Sequence, residues 1–182
     1  LDPFNAEHLQ SMAQAGITGF ALEAAPRITR AQSLDVLSSQ ANLAGYKSVL
    51  LAAQYYDLIF PMMMTAAGTL KATQVVIMGA GVAGLQAIAT ARRLGAVVWA
   101  SDVRPSAKEQ VASLGGKFID VPFETDEERD IAEGVGGYAR PMPQAWMERQ
   151  AALTAQRCAQ ANIVITTALI PGRPAPTLIT ED

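Results

Sequence analysis

The chain has 182 residues, of which 50% are hydrophobic and 17% are charged, and its formal net charge is −3. This length suits one domain, or one domain plus part of another, and the mild acidity argues against a nucleic-acid surface or a polybasic membrane surface. The single cysteine, Cys158, cannot form an internal disulfide, so we expect a reducing compartment. The sequence has no cluster of His and Cys residues with metal-ligand spacing, so we predict no metal site.

The first part of the chain predicts one long helix with shorter elements before it. Apolar residues recur at three- and four-residue spacing from Leu34 to Leu58, which is typical of an amphipathic helix. Pro61 ends this helix, because the residue before a proline avoids helical backbone angles. The pattern predicts a short helix over 7–15, a strand over 18–22, the long helix from 34 to near 60 and a loop over 62–73.

From residue 73 onward, predicted strands alternate with predicted helices. Ser106 and Glu109 have the spacing of a capping box, and the polar stretch 124–143 is predicted as a long loop. The alternation predicts an α/β fold, namely a Rossmann-type doubly wound parallel sheet whose fourth strand lies beside the first. The predicted strands are 75–78, 97–101, 117–121 and 162–166, and the predicted helices are 83–94, 106–114 and 144–159.

We expect three parts along the chain. Residues 1–33 would be a remnant of an N-terminal α/β domain, 34–72 a connecting helix and loop, and 73–182 a Rossmann domain. The chain begins with Leu1 rather than Met, and its four strands fall short of a six-stranded sheet, so we expect truncation at both ends. The uncharged stretch 72–91 is long enough to span a membrane, but its glycines and strand-like first half favour a βα unit and no membrane insertion.

The most specific motif is Gly79-x-Gly81-x-x-Gly84, which follows a strand-like run and opens a helix. Gly79 allows a tight turn, Gly81 lets the backbone approach a pyrophosphate, and Gly84 lets the helix pack closely on the strand. Free N–H groups at the helix start, at Val82 and Ala83, suit the negative charge of that pyrophosphate. The motif predicts a dinucleotide site.

Asp102 follows the second strand at the distance expected for a carboxylate that accepts hydrogen bonds from the adenosine ribose. Such a carboxylate repels a 2′-phosphate, so we predict NAD(H) rather than NADP(H). Arg104 leaves the alternative open, because an arginine there can bind a 2′-phosphate or can lie beside the adenine. Val103 lies between these two residues and belongs to the same predicted cofactor-binding set.

Four segments together carry a more specific resemblance. They are PRITRAQSLDVLSSQANLAGY over 26–46, FPMMMTAAGT over 60–69, GAGVAGLQAIATARRLGAVVWASDVR over 79–104 and ITTALIPGRPAP over 165–176. These segments resemble the NAD(H)-binding component of proton-translocating nicotinamide nucleotide transhydrogenase, which is the alpha subunit in bacteria. Alanine dehydrogenase is a more distant relative.

The resemblance implies a function in a complex. NADH on this component would pass a hydride directly to NADP⁺ on a separate component, and membrane subunits would couple the exchange to proton movement. Hydride transfer between two nicotinamides needs no proton donor, so the protein supplies proximity and orientation. The resemblance also implies that the intact component is a homodimer, located at the cytoplasmic face of the bacterial inner membrane or, in a eukaryote, on the matrix side of the mitochondrial membrane.

Further site residues follow from the same resemblance. Arg27, Gln32 and Asp35 match a loop that orients the nicotinamide, and Ser38 lies one helical turn beyond Asp35. A second group matches a loop that closes over bound nucleotide and the end of the fourth strand; it consists of Gly137, Tyr138, Ala139, Thr166, Thr167 and Leu169.

Two other functions are compatible with the fold. An amino-acid dehydrogenase of the alanine dehydrogenase type would need a lysine and a histidine near the nicotinamide, whereas His8, the sole histidine, lies far from the motif in sequence. A nucleotide-sensing module without catalysis is the third possibility, which hydride exchange with an NADP-bearing partner would eliminate.

Overall fold

A computed structural model of the protein describes residues 5–26, 28–133, 142–169, 174–175 and 177–179. Among these residues no helix is both long and apolar enough to span a membrane. The helices are α1 (Ala6–Gln14), α2 (Val36–Tyr55), α3 (Val82–Arg93), α4 (Ala107–Ser113), α5 (Asp126–Glu133) and α6 (Gln144–Cys158), with 3-10 turns at Leu22–Ala24 and Thr29–Leu34. The strands are β1 (Met63–Thr65), β2 (Gly68–Leu70), β3 (Gln74–Met78), β4 (Val97–Ser101), β5 (Lys117–Phe118) and β6 (Ile163–Thr166).

The nucleotide-fold half is a parallel sheet with strand order β5-β4-β3-β6. β3 pairs in parallel with both neighbours, with Ile77 opposite Ala100 of β4 and Ile165 of β6. The predicted α/β class, and the predicted place of the fourth strand beside the first, are therefore confirmed. Because β3 and β6 adjoin while the chain reverses its winding there, their carboxyl ends border the crevice where such folds bind ligands.

The core lies on both faces of this sheet. Val75 and Ile77 of β3 pack with Ala87 and Ile88 of α3 on one face, while Val76 and Met78 pack on the other face. Four consecutive buried apolar residues in β3 are typical of a central parallel strand, which is covered on both faces.

The long helix α2 lies against α3 at very short distance. A Cβ atom added at Gly45 would lie 2.0 Å from the backbone oxygen of Ala83, so only glycine permits this approach. Thr73 fixes the segment that joins α2 to β3, because its hydroxyl donates a hydrogen bond of 2.8 Å to the carbonyl of Ile59. The helix that precedes the nucleotide fold is thus packed directly on the first turn of α3.

The structure corrects three predictions in the first half of the chain. Residues 18–22 form no strand; they run as coil into the 3-10 turn at Leu22–Ala24, and Phe20 is 84% exposed. The predicted loop over 62–73 contains the hairpin of β1 and β2. That hairpin turns at two alanines instead of the usual Asn-Gly pair, and its strands are only three residues long, too short to show alternation, so neither hairpin signal is present. The helix α2 covers Val36–Tyr55 rather than 34 to near 60, because Asp35 caps its start and Tyr56 already has extended backbone angles before Pro61 is reached.

Two further corrections concern the second half. Ser106 has helical backbone angles and makes no capping bond, because the carbonyls of Arg104 and Pro105 already accept from the first N–H groups of α4. The predicted loop 124–143 instead contains α5, and the capping pattern occurs there: the Thr125 hydroxyl accepts from the Glu128 N–H at 3.1 Å. The third strand is shorter than predicted, since β5 covers only Lys117–Phe118.

Candidate functional site

The loop from β3 to α3 has the geometry that its glycines predict. Gly79 has a φ of +100°, and its N–H donates to the Ser101 carbonyl at 2.8 Å. A Cβ atom at Gly84 would lie 1.8 Å from the Gly79 carbonyl oxygen, so helix and loop touch backbone to backbone. A Cβ atom at Gly81 would meet nothing within 4 Å. Backbone atoms therefore pack against the loop at Gly79 and Gly84, whereas the space beside Gly81 is open and a ligand can approach there.

The first turn of α3 faces this opening. Gly81 is its N-cap residue and supplies no side chain to cap the helix. The N–H groups of Val82 and Ala83 are among those left without an intrahelical acceptor by helix geometry, and Val82 is exposed. An uncapped helix start with an open glycine before it suits a pyrophosphate, since N–H groups and the helix dipole both favour negative charge.

Asp102 lies at the end of β4, next to the glycine loop. Its Oδ2 accepts a 2.8 Å hydrogen bond from the Ala80 N–H, and the side chain is only 8% exposed. Burial alone would raise the pKa of Asp102, but hydrogen bonds from Arg104 and Ala80 outweigh it and lower the pKa below the ordinary value of 3.8. The group is thus an anion that joins two strand ends.

Arg104 is bound to Asp102 rather than standing apart from it. The guanidinium donates from Nε to Oδ1 and from Nη2 to Oδ2, both at 2.9 Å. The Arg104 N–H also donates to Oδ1, at 2.9 Å. The neighbouring Val103 side chain packs against the apolar cluster that contains Trp146. The structure therefore brings Asp102 and Arg104 to the edge of the glycine loop, whereas the Val103 side chain packs into that cluster.

Thr167 supports the loop from the other side. Its hydroxyl donates to the Gly79 carbonyl at 2.9 Å, and its N–H donates to Met78 at 2.9 Å. Thr166 and Leu169 lie beside it and are exposed. In this structure Thr167 holds the turn, while its two predicted companions face outward.

Gln32, Asp35 and Ser38 form a second group, where the 3-10 turn meets α2. Asp35 is the N-cap of α2: its Oδ1 accepts from the Ser38 N–H at 3.0 Å and its Oδ2 from the Ser38 hydroxyl at 2.7 Å. Gln32 is exposed, and its carbonyl accepts from the Asp35 N–H at 3.2 Å. An open depression of about 380 Å³ lies here, lined by Ala25, Pro26, Ile28, Thr29, Ala31, Gln32 and Asp35.

Four predicted residues, Arg27, Gly137, Tyr138 and Ala139, lie outside the residues that the structure describes. Their roles at the nucleotide stay predictions for that reason. The sequence reasoning missed Gly45, although a glycine between the small residues Ala41 and Ser48 of an otherwise regular helix marks a close helix contact. It also missed Ala80, whose N–H secures Asp102.

Sequence comparison identifies the family. The chain matches the family described as "Alanine dehydrogenase/PNT, C-terminal domain" over residues 48–182 and the one described as "Alanine dehydrogenase/PNT, N-terminal domain" over residues 1–44. The NAD(P) transhydrogenase subunit alpha of Cereibacter sphaeroides is 48% identical over 178 residues, which cover 98% of this chain and 34% of that protein. A corresponding alpha-subunit protein of Rhodospirillum rubrum is 55% identical over 174 residues, which cover 96% of this chain and 44% of that protein. The chain thus spans less than half the length of these relatives.

Solved structures agree with this result. The crystal structure of transhydrogenase from Sinorhizobium meliloti has a TM-score of 0.83 and 59% identity, and the match covers 100% of this chain and 47% of that chain. An L-alanine dehydrogenase has a TM-score of 0.63 at 22% identity, over 96% of this chain and 42% of that one, and so shares the fold. The resemblance predicted from the sequence is confirmed: the chain belongs to the alanine dehydrogenase/PNT family and, within it, to the alpha subunits of NAD(P) transhydrogenase.

Proposed function

We propose that the chain binds NAD(H) across the glycine loop and presents the nicotinamide for direct hydride transfer to NADP⁺ on a separate component. The observation that carries this proposal is the combination of open space at Gly81, an uncapped α3 and a buried carboxylate at Asp102. The name of the relatives, NAD(P) transhydrogenase, supports the same class of reaction.

The adenosine half of the nucleotide would lie at the glycine loop. The N–H groups of Val82 and Ala83 would donate to the pyrophosphate, which the open position at Gly81 admits. Asp102 would accept from the ribose hydroxyls, and its negative charge opposes a 2′-phosphate. We therefore expect NADH to bind more tightly than NADPH.

The nicotinamide half would lie toward the start of α2. Gln32 is exposed and offers both a donor and an acceptor for a carboxamide or a ribose. Asp35 and Ser38 bind each other, which fixes the first turn of the helix beside Gln32. Bound NADH supplies the hydride, and the task of these residues is to hold the ring in position for transfer. By resemblance, Arg27 and Tyr138 would complete the enclosure.

In the whole complex, an NADP(H)-binding component and membrane subunits would couple this transfer to proton translocation. The location would be the cytoplasmic face of the bacterial inner membrane, or the matrix side of the mitochondrial membrane. The hydride acceptor is bound elsewhere in this scheme, so the chain alone would bind NADH without turning it over. No interaction with nucleic acid is proposed.

A homodimer is proposed as well. Many large apolar side chains on α2, on the hairpin and on the segment between them are exposed, which is unusual for a surface that stays in water. They include Leu43, Tyr46, Tyr55, Leu58, Met62, Met64 and Leu70. Sedimentation equilibrium tests this proposal. If a second copy of the chain covers this surface, the apparent mass should rise with protein concentration. A monomer at every concentration would contradict the homodimer.

The proposed function is tested by titrating the chain with NADH and, separately, with NADPH, following nucleotide fluorescence. We expect a clear preference for NADH. Asp102→Ala should weaken NADH binding about tenfold and narrow the gap to NADPH, because the variant loses hydrogen bonds to a charged group together with the repulsive charge. Asp120→Ala is the matched control, since Asp120 is a carboxylate that is 60% exposed and pairs with the exposed Lys108.

Hydride exchange is then measured after an NADP-bearing partner component is added. Exchange that requires both components supports the proposal. Failure to bind either nucleotide would contradict it, and an unchanged nucleotide preference in Asp102→Ala would remove the ribose role of that residue. Oxidation of NADH by a 2-oxo acid and ammonium without NADP⁺ would instead support the amino-acid dehydrogenase alternative.

A further inference from the structure

The hydrogen-bonding capacity of Asp102 is fully used. An ionised carboxylate accepts at about four lone-pair sites. Oδ1 accepts from the Arg104 N–H and Nε, both at 2.9 Å. Oδ2 accepts from the Ala80 N–H at 2.8 Å and from Arg104 Nη2 at 2.9 Å. A ribose that binds Asp102 must therefore replace a donor that is already in place.

The donors differ in how easily they can leave. The N–H groups of Ala80 and Arg104 belong to the backbone of the two turns that form the site, so they stay with the carboxylate. The guanidinium of Arg104 is at the end of a long side chain that is 29% exposed. It donates two hydrogen bonds to Asp102, one to each carboxylate oxygen. An adenosine ribose carries two free hydroxyls, so an exchange of one for the other keeps every acceptor occupied.

We propose that Arg104 is a specificity- and affinity-setting residue whose guanidinium competes with the adenosine ribose for the two oxygens of Asp102. This inference rests on the proposed function, because it takes the ribose of NAD(H) as the competing ligand. The nucleotide binds the fraction of molecules in which the guanidinium has left Asp102, and its apparent affinity is reduced by that fraction.

The competition has a use in turnover. A component that delivers hydrides must release NAD⁺ after each transfer, and release often limits the rate in such enzymes. A guanidinium that returns to Asp102 takes over the two acceptor positions as the ribose leaves, so no acceptor position of the buried carboxylate is left without a donor. Arg104 therefore lowers the cost of release as well as the apparent affinity.

The test compares Arg104→Met with the unsubstituted chain by stopped-flow NADH binding. Methionine keeps much of the length and apolar stem and removes both donors. We expect the association rate constant to rise, and Kd to fall, by about three- to tenfold, the range for loss of a partly exposed ion pair. Arg104→Lys keeps the charge but not the two-pronged geometry, and should give an intermediate value. Arg93→Met is the matched control, because Arg93 is exposed at the far end of α3.

Each other outcome has a distinct meaning. Weaker NADH binding in Arg104→Met through faster dissociation would overturn the competition and make Arg104 a direct contact of the nucleotide. Unchanged kinetics would also overturn it. Thermal unfolding of the variant checks that the loop still folds. Absence of NADH binding to the unsubstituted chain would contradict the proposed function itself, and is thereby separated from a failure that concerns Arg104 alone.

Discussion

The glycine loop and the Gln32–Asp35 segment differ in the range of the bonds that hold them. In the loop, Ala80 binds Asp102 across 22 positions, and Thr167 binds Gly79 across 88. At the start of α2, the bonds of Ser38 to Asp35 join residues three positions apart. A site made of long-range bonds forms only when the sheet forms. A site made of local bonds takes its position from the helix that carries it, here through the contact of Gly45 with Ala83.

Substitutions in the glycine loop should therefore lower the stability of the fold, whereas substitutions at the start of α2 should mainly change hydride transfer. The largest expected effect is that of Gly84→Ala. Gly84→Ala puts a Cβ atom 1.8 Å from the Gly79 carbonyl oxygen, where backbone and not a flexible side chain must move. We expect the free energy of unfolding to fall by on the order of 3 kcal/mol, together with loss of NADH binding. Urea unfolding and NADH titration measure the two losses.

Gly81→Ala is the matched control for that substitution. Its Cβ atom meets nothing within 4 Å, and its φ of −76° suits alanine, so stability should change little. The added methyl group occupies the approach of the pyrophosphate and should cost about 100-fold in NADH affinity, equivalent to about two hydrogen bonds to a charged group. A Gly81→Ala variant that binds NADH normally would place the pyrophosphate elsewhere.

Features that depend on the spacing of residues along the chain could be predicted from the sequence. The motif of Gly79, Gly81 and Gly84 has one structural solution, because each glycine is required by a backbone contact or by open space, and Asp102 follows at the next strand end. The alternation of strands and helices predicted the parallel sheet, and the Rossmann-type fold predicted the place of its fourth strand beside the first. These are properties of spacing along the chain, and spacing is visible in the sequence.

Other features depend on contacts between distant residues or on weak local signals. Arg104 was expected to bind a 2′-phosphate or to lie beside the adenine, but whether its guanidinium binds Asp102 is decided by side-chain geometry in the folded chain. The small residues around Gly45 indicate a close helix contact, but the sequence does not say with which helix, because the contact is made with Ala83, 38 positions away. The helix α5 was missed because its charged sequence has a small apolar face.

A second prediction concerns the locally held segment. Gln32→Asn shortens an exposed polar side chain without breaking a long-range bond. The equilibrium constant of unfolding and the Kd for NADH should therefore each change less than about twofold. Hydride transfer should slow by about 10- to 100-fold, because a small displacement of a positioned ring is costly. Single-turnover kinetics with an NADP-bearing partner, compared with NADH titration, separate the two quantities.

Gln54→Asn serves as the reference for that experiment. Gln54 is an exposed residue of α2 near the other end of the helix, so both rate and affinity should stay unchanged. Equal losses of rate and affinity in Gln32→Asn would make Gln32 a simple binding group. A loss of stability would show that the segment is held by more than local bonds, and the contrast with the glycine loop would fail.

The smallest effect is expected in acid, where Asp102 links the glycine loop to folding. Hydrogen bonds from Arg104 and Ala80, despite the opposing effect of burial, hold its pKa below 3.8 in the folded chain. A lowered pKa stabilises the folded state fully above the unfolded value, and this contribution is lost as pH falls through the folded value. Asp102→Asn should therefore be less stable than the unsubstituted chain at neutral pH, and the difference should shrink as pH falls below 3.8.

Urea unfolding at a series of pH values measures that difference. Asp120→Asn is the control, since a pair of two exposed side chains should leave the free energy of unfolding nearly unchanged at every pH. A difference for Asp102→Asn that stays constant with pH would mean that the amide disturbs the loop by its shape alone. A shrinking difference would mean that the charge expected to bind the ribose also holds together the two strand ends, so that nucleotide recognition and folding share one carboxylate at this edge of the sheet.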